Sequence, residues 1–240
     1  MTYIEGFVTA VPTDKKDEYR RHAAGAAPIF KEFGVTRMVE NWGDDVPRGK
    51  VTDFHGAVQA KDDETVVFSW FEYPDKATRD AASKRMMDDP RMEKLGQDMP
   101  FDGKRMIYGG FDTFVDHRAE GTTGYTDGFV LPVPTANREA YTKMAEQMAG
   151  KFKDQGALRI VEAWGDDLPD GKVTDYRRAV KAKDDEAVVY SYVEWPDKAT
   201  RDAAWATNMA DESMKGQPMP FDGQRAFWGG FQPMLDTKAE

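Results

Sequence analysis

Two glutamates, Glu40 and Glu162, each stand two residues before a tryptophan, Trp42 and Trp164, in segments that alternate like β-strands. A period of two puts carboxyl and indole on one face, where an aromatic wall desolvates the acid and raises its pKa, preparing a general base. The competing and weightier reading is a glutamate at the sheet rim, either hydrated or paired with Arg37 or Arg159. Glu72 and Glu194 share a strand face with Trp70 and Tyr192 and are the other acid–base candidates. Asp53 and Asp175 each follow a Gly-Lys-Val-Thr turn, where an aspartate bonds its own backbone or, alternatively, joins Trp42 and Trp164 at a ligand. Arg79 and Arg201 fall in the first turns of a helix, where the dipole disfavours a cation, so Glu72 or a ligand carboxylate is the partner to look for.

Every one of these candidates comes as a pair because the chain repeats itself. Tyr3 to Asp116 recurs as Tyr125 to Asp236, first at an offset of 122 and, after a two-residue deletion near Lys94, at an offset of 120. About half of the aligned positions match, including the run Asp75 to Ala82 and the run Met99 to Gly103, which returns as Met219 to Gly223. The repeat filters candidates. Histidines 22, 55 and 117 are not kept in both halves, so a site built twice does not use histidine, and a surface role is expected for each. Asp102-Gly103 with Arg105 reads as a tight turn fastened by an ion pair.

Composition removes whole classes of function. Thirty-three basic against 43 acidic residues give a net charge of −10, which repels phosphate backbones and anionic lipid, so neither nucleic acid nor membrane is expected as a partner. The absence of cysteine excludes disulfides, thiolate nucleophiles and cysteine-ligated metal, and no phosphate loop, HExxH, GxSxG or EF-hand loop is present. No cofactor and no metal are expected. No apolar stretch is long enough to span a bilayer and the N-terminus lacks a signal-peptide pattern, so a cytoplasmic protein is the expectation.

The elements that must position these residues follow from periodicity. Ile4 to Val11 reads as a strand ended by Pro12. Thr13 is placed to cap a helix whose stripe is Tyr19, Ala23, Ala26, Phe30 and Phe33, closed by Gly34. Val35 to Trp42 and Val66 to Tyr73 are strands, Phe54 to Val58 is irregular or a short helix, and Lys76 to Met87 is a helix capped by Asp75. Arg105 to Val115 is the last strand, with Gly109-Gly110 marking a bulge or close backbone approach. The order is β-α-β-β-α-β in each repeat. Residues 1–116 form the first repeat, 117–124 a linker and 125–240 the second. Aromatics on both faces of Val66 to Tyr73 and of its twin are costly in a sheet wet on one side, so the two sheets are expected to pack face to face as a pseudo-dimer.

The runs Asp45 to Phe54, Val66 to Pro74, Met86 to Met92 and Met99 to Phe111 resemble the DUF1428 proteins across nearly all of both halves. That family has no agreed activity. The resemblance implies a dimeric α/β-barrel relative, and hence an α+β fold in which two ferredoxin-like βαββαβ repeats pair their antiparallel sheets within one chain. The second copy departs where Asp89-Pro-Arg-Met92 becomes Asp211-Glu-Ser-Met214 and where Lys104 becomes Gln224. The superfamily includes cofactor-free monooxygenases, isomerases and haem enzymes, so two expectations stand. One is a small-molecule-binding or cofactor-free oxygenase- or isomerase-like protein using a sheet–helix cavity; the other is a non-enzymatic assembly or interaction domain. Further oligomerisation is left open.

Overall fold

In the computed structural model the described residues are 2–211 and 218–238. The first repeat runs β1 (Tyr3–Pro12), α1 (Lys16–Glu32), β2 (Arg37–Asp45), α2 (Phe54–Ala57), β3 (Glu64–Tyr73), α3 (Lys76–Asp88), α4 (Pro90–Gln97) and β4 (Ile107–Arg118). The second runs β5 (Tyr125–Pro134), α5 (Arg138–Asp154), β6 (Arg159–Asp167), α6 (Tyr176–Ala179), β7 (Glu186–Trp195), α7 (Lys198–Ala210) and β8 (Phe227–Asp236). Local chemistry sets many of the boundaries. Asp75 and Asp197 accept from the backbone N–H of Thr78 and Thr200 and so cap α3 and α7. Gly34 and Gly156 follow α1 and α5 at φ +107° and +98°, a backbone region that penalises any Cβ.

Three local expectations are corrected. Thr13 caps nothing: residues 13–15 form a 3-10 turn, and the Thr13 hydroxyl meets that of Thr65 at 2.8 Å. The helix α4 was not expected, although Asp89 caps it and Pro90 occupies its first turn, both standard start signals. Strand β4 continues through His117 and Arg118, so the connection to β5 spans residues 119–124.

The eight strands close into one barrel in the order β1-β3-β2-β8-β5-β7-β6-β4, every pair antiparallel. Each repeat contributes a four-stranded sheet, and the sheets join edge to edge at β2–β8 and β4–β6. Closure removes the unpaired edges that two separate sheets would leave. The expected face-to-face packing therefore takes a specific form: the inner faces enclose a single core and the outer faces carry the helices. Inside, Phe68 stacks on Tyr190 at 4.6 Å and Trp70 on Tyr192 at 4.0 Å. Outside, Phe71 and Tyr73 pack with α1 and α3 residues. This division accounts for the aromatics on both faces of β3 and β7.

The barrel interior is filled. Toward the end where β4 and β8 begin, α2 and α6 insert Phe54 and Tyr176, both buried against interior rings. At the other end a charged cluster seals the core. Arg37 donates to both carboxylate oxygens of Glu194, at 2.9 and 2.5 Å, while Arg159 donates to those of Glu72, at 2.5 and 3.2 Å. Asp236 and Asp116 complete the two arginine clasps.

Candidate functional site

The outer face of the first sheet does not pack solid against its helices. A cavity of about 330 Å³ lies beneath α1, α3 and α4, within the size range of small-molecule sites. Its floor is the sheet, through Glu5, Phe7 and Thr9 of β1, Met38 and Glu40 of β2, and Ser69 and Phe71 of β3. Tyr19, His22 and Phe30 of α1 form one wall, and Ser83 and Met86 of α3 another. Over them sits α4, which contributes Met92 and Leu95 and buries no residue of its own. The lining is mainly aromatic rings and methionines, a flexible apolar surface able to adapt to a flat ligand.

Glu40 is the distinctive polar group in this floor. It is 5% exposed and has no cationic partner among the described residues. Tyr19 Oη donates to its Oε2 at 2.7 Å and Ser69 Oγ donates to the same oxygen. Oε1 receives no hydrogen bond among the described residues. Burial pushes the carboxyl up to about 7 even though both hydroxyls favour its charged form. At neutral pH such a group exchanges a proton readily, and its free oxygen is available to a substrate. Thr9, 2% exposed and also lining the cavity, has a buried hydroxyl with no partner among the described residues.

The arrangement is built twice. Tyr141 Oη donates to Glu162 Oε2 at 2.8 Å, the Ser191 hydroxyl favours the charged form, and burial again pushes the carboxyl up to about 7. The expected pairing of Glu40 with Arg37, and of Glu162 with Arg159, is corrected, because both arginines point into the barrel.

The other candidates separate from this site. Glu72 and Glu194 belong to the charged barrel end, and the Arg159 and Arg37 guanidiniums hold Glu72 below the usual carboxylate range despite its burial. Trp42 and Trp164 are buried on the outer face but do not line the cavity, each lying beneath a cation, Lys16 at 5.2 Å and Arg138 at 5.0 Å. Asp53 accepts from Gly56 N at 2.6 Å and Gly49 N at 3.0 Å, and Asp175 from Arg178 N at 2.8 Å and Gly171 N at 3.3 Å. Both serve as backbone caps. Arg79 bridges Glu5 to Asp167 of the other repeat, and Arg201 bridges Asp127 to Asp45, so these arginines tie the halves together. Arg105 secures the Asp102 turn and clasps Glu64.

Of the histidines, His117 is exposed, but His22 is half-buried and lines the cavity, which corrects its expected surface role. Sequence reading missed Tyr19 and Ser69 as partners of Glu40, although both recur, as Tyr141 and Ser191. The described residues hold no group of three or more His, Asp or Glu arranged for a metal ion, and no helix among them is long and apolar enough to cross a membrane. The replaced segment Glu212 to Met214 lies outside the described residues.

The model of the DUF1428 family, described as proteins of unknown function, matches residues 2–103 and again 124–223. The chain belongs to this family and carries its domain twice. The uncharacterized protein YbaA of Escherichia coli (strain K12) is 65% identical over 116 residues, which cover 48% of this chain and 99% of YbaA. Among solved structures, a Fusobacterium nucleatum protein provisionally described as a monooxygenase superposes with a TM-score of 0.63 at 12% identity, covering 98% of this chain and 93% of its own. An anthrone oxidase-like protein gives a TM-score of 0.55 at 13% identity, covering 98% and 92%. At these identities the likeness is one of fold, the dimeric α/β barrel, here closed within a single chain.

Proposed function

We propose that the first repeat binds a planar, weakly acidic apolar molecule in the cavity beneath α1, α3 and α4, and that Glu40 accepts its acidic proton in cofactor-free oxygenase- or isomerase-like chemistry. The observation that carries this reading is a buried carboxyl with no cation beside it among the described residues, pushed up to about 7, on the floor of an apolar cavity. Packing alone does not call for an ionisable group there, since burying one unpaired is costly. Tyr19 and Ser69 hold Oε2 and so orient the carboxylate, leaving Oε1 to take the proton. The aromatic walls offer faces on which a flat ligand stacks. Once deprotonated, an electron-rich carbanion or phenolate can react with dioxygen or be reprotonated at another carbon. The descriptions of the two structural neighbours as a monooxygenase and an anthrone oxidase-like protein lie in the same direction.

The alternative, a non-enzymatic assembly domain, accounts well for the filled barrel interior but leaves the outer cavity and its unpaired Glu40 without a role. A thermal-shift screen of planar phenols and polycyclic carbon acids, followed by oxygen-uptake measurements on the hits, tests the proposal. A ligand at a hundred times its dissociation constant adds about 2.7 kcal/mol of stability. Glu40→Gln is expected to keep binding neutral analogues while losing at least a hundredfold in turnover. Turnover unchanged in Glu40→Gln sinks the assignment.

A further inference from the structure

We propose that the chain carries one working ligand site rather than two, the counterpart pocket of the second repeat having been filled by its own side chains, with Trp205 as the plug. This inference rests on reading the first-repeat cavity as a ligand site. The carboxyl and its two hydroxyl partners are present in both halves, so the difference lies in the walls.

Ser83, on α3 in the cavity wall, has Trp205 as its twin on α7. The Trp205 Nε1 donates to Asp127 Oδ2 on β5 at 2.9 Å, so the indole crosses the whole space between helix and sheet. Its ring lies 6.1 Å from Phe129 and 5.9 Å from Phe152, and stacks on Trp228 at 5.7 Å. In the first repeat the equivalent rings, Phe7 and Phe30, close instead on Phe71, at 4.8 and 4.7 Å. The twin of Phe71 is Val193, so part of the indole replaces that ring. The remainder enters the pocket with Met148 for Ala26, Leu131 for Thr9 and Trp228 for Tyr108, against the smaller Asn208 for Met86 and Ala226 for Met106.

Polarity changes in the same sense. The unpartnered Thr9 hydroxyl has become the alkyl chain of Leu131. Glu5 lines the cavity while accepting from Tyr73 and Arg79, and its twin Asp127 accepts from Trp195, Trp205 and Arg201 and is fully buried. The first repeat keeps an unpartnered hydroxyl at Thr9 in its pocket floor, and the second has none at that position. An indole that spans the pocket to reach a carboxylate on the sheet leaves a ligand no space there.

Xenon, which enters dry apolar cavities, locates such space directly in crystals pressurised with the gas. The full chain is expected to hold xenon beside Phe7 and Glu40 and none beside Glu162, and Trp205→Ser is expected to gain a second site beside Glu162. Xenon in both halves of the unaltered protein overturns the proposal, as does a cooperatively melting Trp205→Ser variant that gains no site. Should Trp205→Ser fail to fold, Ser83→Trp decides: loss of the first-repeat site supports the plug and its retention refutes it. No xenon beside Glu40 in the unaltered protein defeats the ligand-site reading itself, while a site gained beside Glu162 in Trp205→Ser still identifies Trp205 as the plug.

Discussion

Glu40 has lost its hydration without gaining a cation, and its titration follows from that. Because burial raises its pKa to about 7, and that of Glu162 likewise, the folded state holds these protons longer than the unfolded chain does. The associated stability is complete below the ordinary carboxyl pKa near 4.5 and is lost as pH rises through about 7. A shift of this size is on the order of 3 kcal/mol per group. Glu40→Gln, which keeps the shape, is therefore expected to match the unaltered protein near pH 4.5 and to exceed it by up to about 3 kcal/mol at pH 8, as measured by urea unfolding. An equal difference at both pH values would contradict the assignment. Glu64, pushed down to about 2 by Arg105, acts in the opposite sense, its stability being lost only as acid protonates it. The shared face of Glu40 and Trp42 was legible from strand periodicity. So was the error about Arg37: residues three apart on a strand face opposite sides, and period two applied strictly rules that pair out. Tyr19 and Ser69 were hidden because they reach Glu40 from other elements, 21 and 29 residues away.

Among the elements, α4 bears most on the proposed ligand site and was the least legible. Its eight residues bury none of their side chains, so no periodic core stripe announces it, and only the Asp89 cap and Pro90 mark its start. It lies over the cavity through Met92 and Leu95 and contributes little to the core. A charge placed there is thus expected to act on the ligand rather than the fold. Met92→Glu is expected to weaken binding of an aromatic ligand at least tenfold while changing unfolding free energy by less than about 1 kcal/mol. Calorimetry and urea unfolding measure the two effects separately, and a large loss of stability with binding intact would show α4 to be structural. The strands, by contrast, were readable because alternation, prolines and capping aspartates all agreed. The short helices α2 and α6 were ambiguous for a different reason, being single turns whose stability comes from tertiary contacts.

At the scale of the molecule, the repeat seen in the sequence is a near-twofold barrel held by reciprocal contacts. Each half lends its arginine to the other's glutamate at the sealed barrel end, Arg37 to Glu194 and Arg159 to Glu72. Tyr3 donates to Asp166 and Tyr125 to Asp44 in the same reciprocal way. Removing one arginine strands buried carboxylates, so Arg37→Met is expected to cost about 3–5 kcal/mol in denaturant unfolding. A fragment of residues 1–118 would expose Phe68, Trp70 and the edges of β2 and β4. It is expected to sediment as a homodimer, and a stable folded monomer would contradict the pseudo-dimer account. Duplication was legible in the sequence, but the proposed closing of the second pocket was not, because the meaning of Trp205 depends on what stands opposite it across the helix–sheet layer. Carbon-13 NMR of the whole chain labelled at glutamate Cδ, titrated with and without 2-naphthol, tests the central claim most directly. Two resonances, assigned by their loss in Glu40→Gln and Glu162→Gln, are expected to titrate near pH 7, and only that of Glu40 to shift with ligand. A Glu40 resonance that titrates near 4.5, or that ignores every aromatic acid offered, would contradict it.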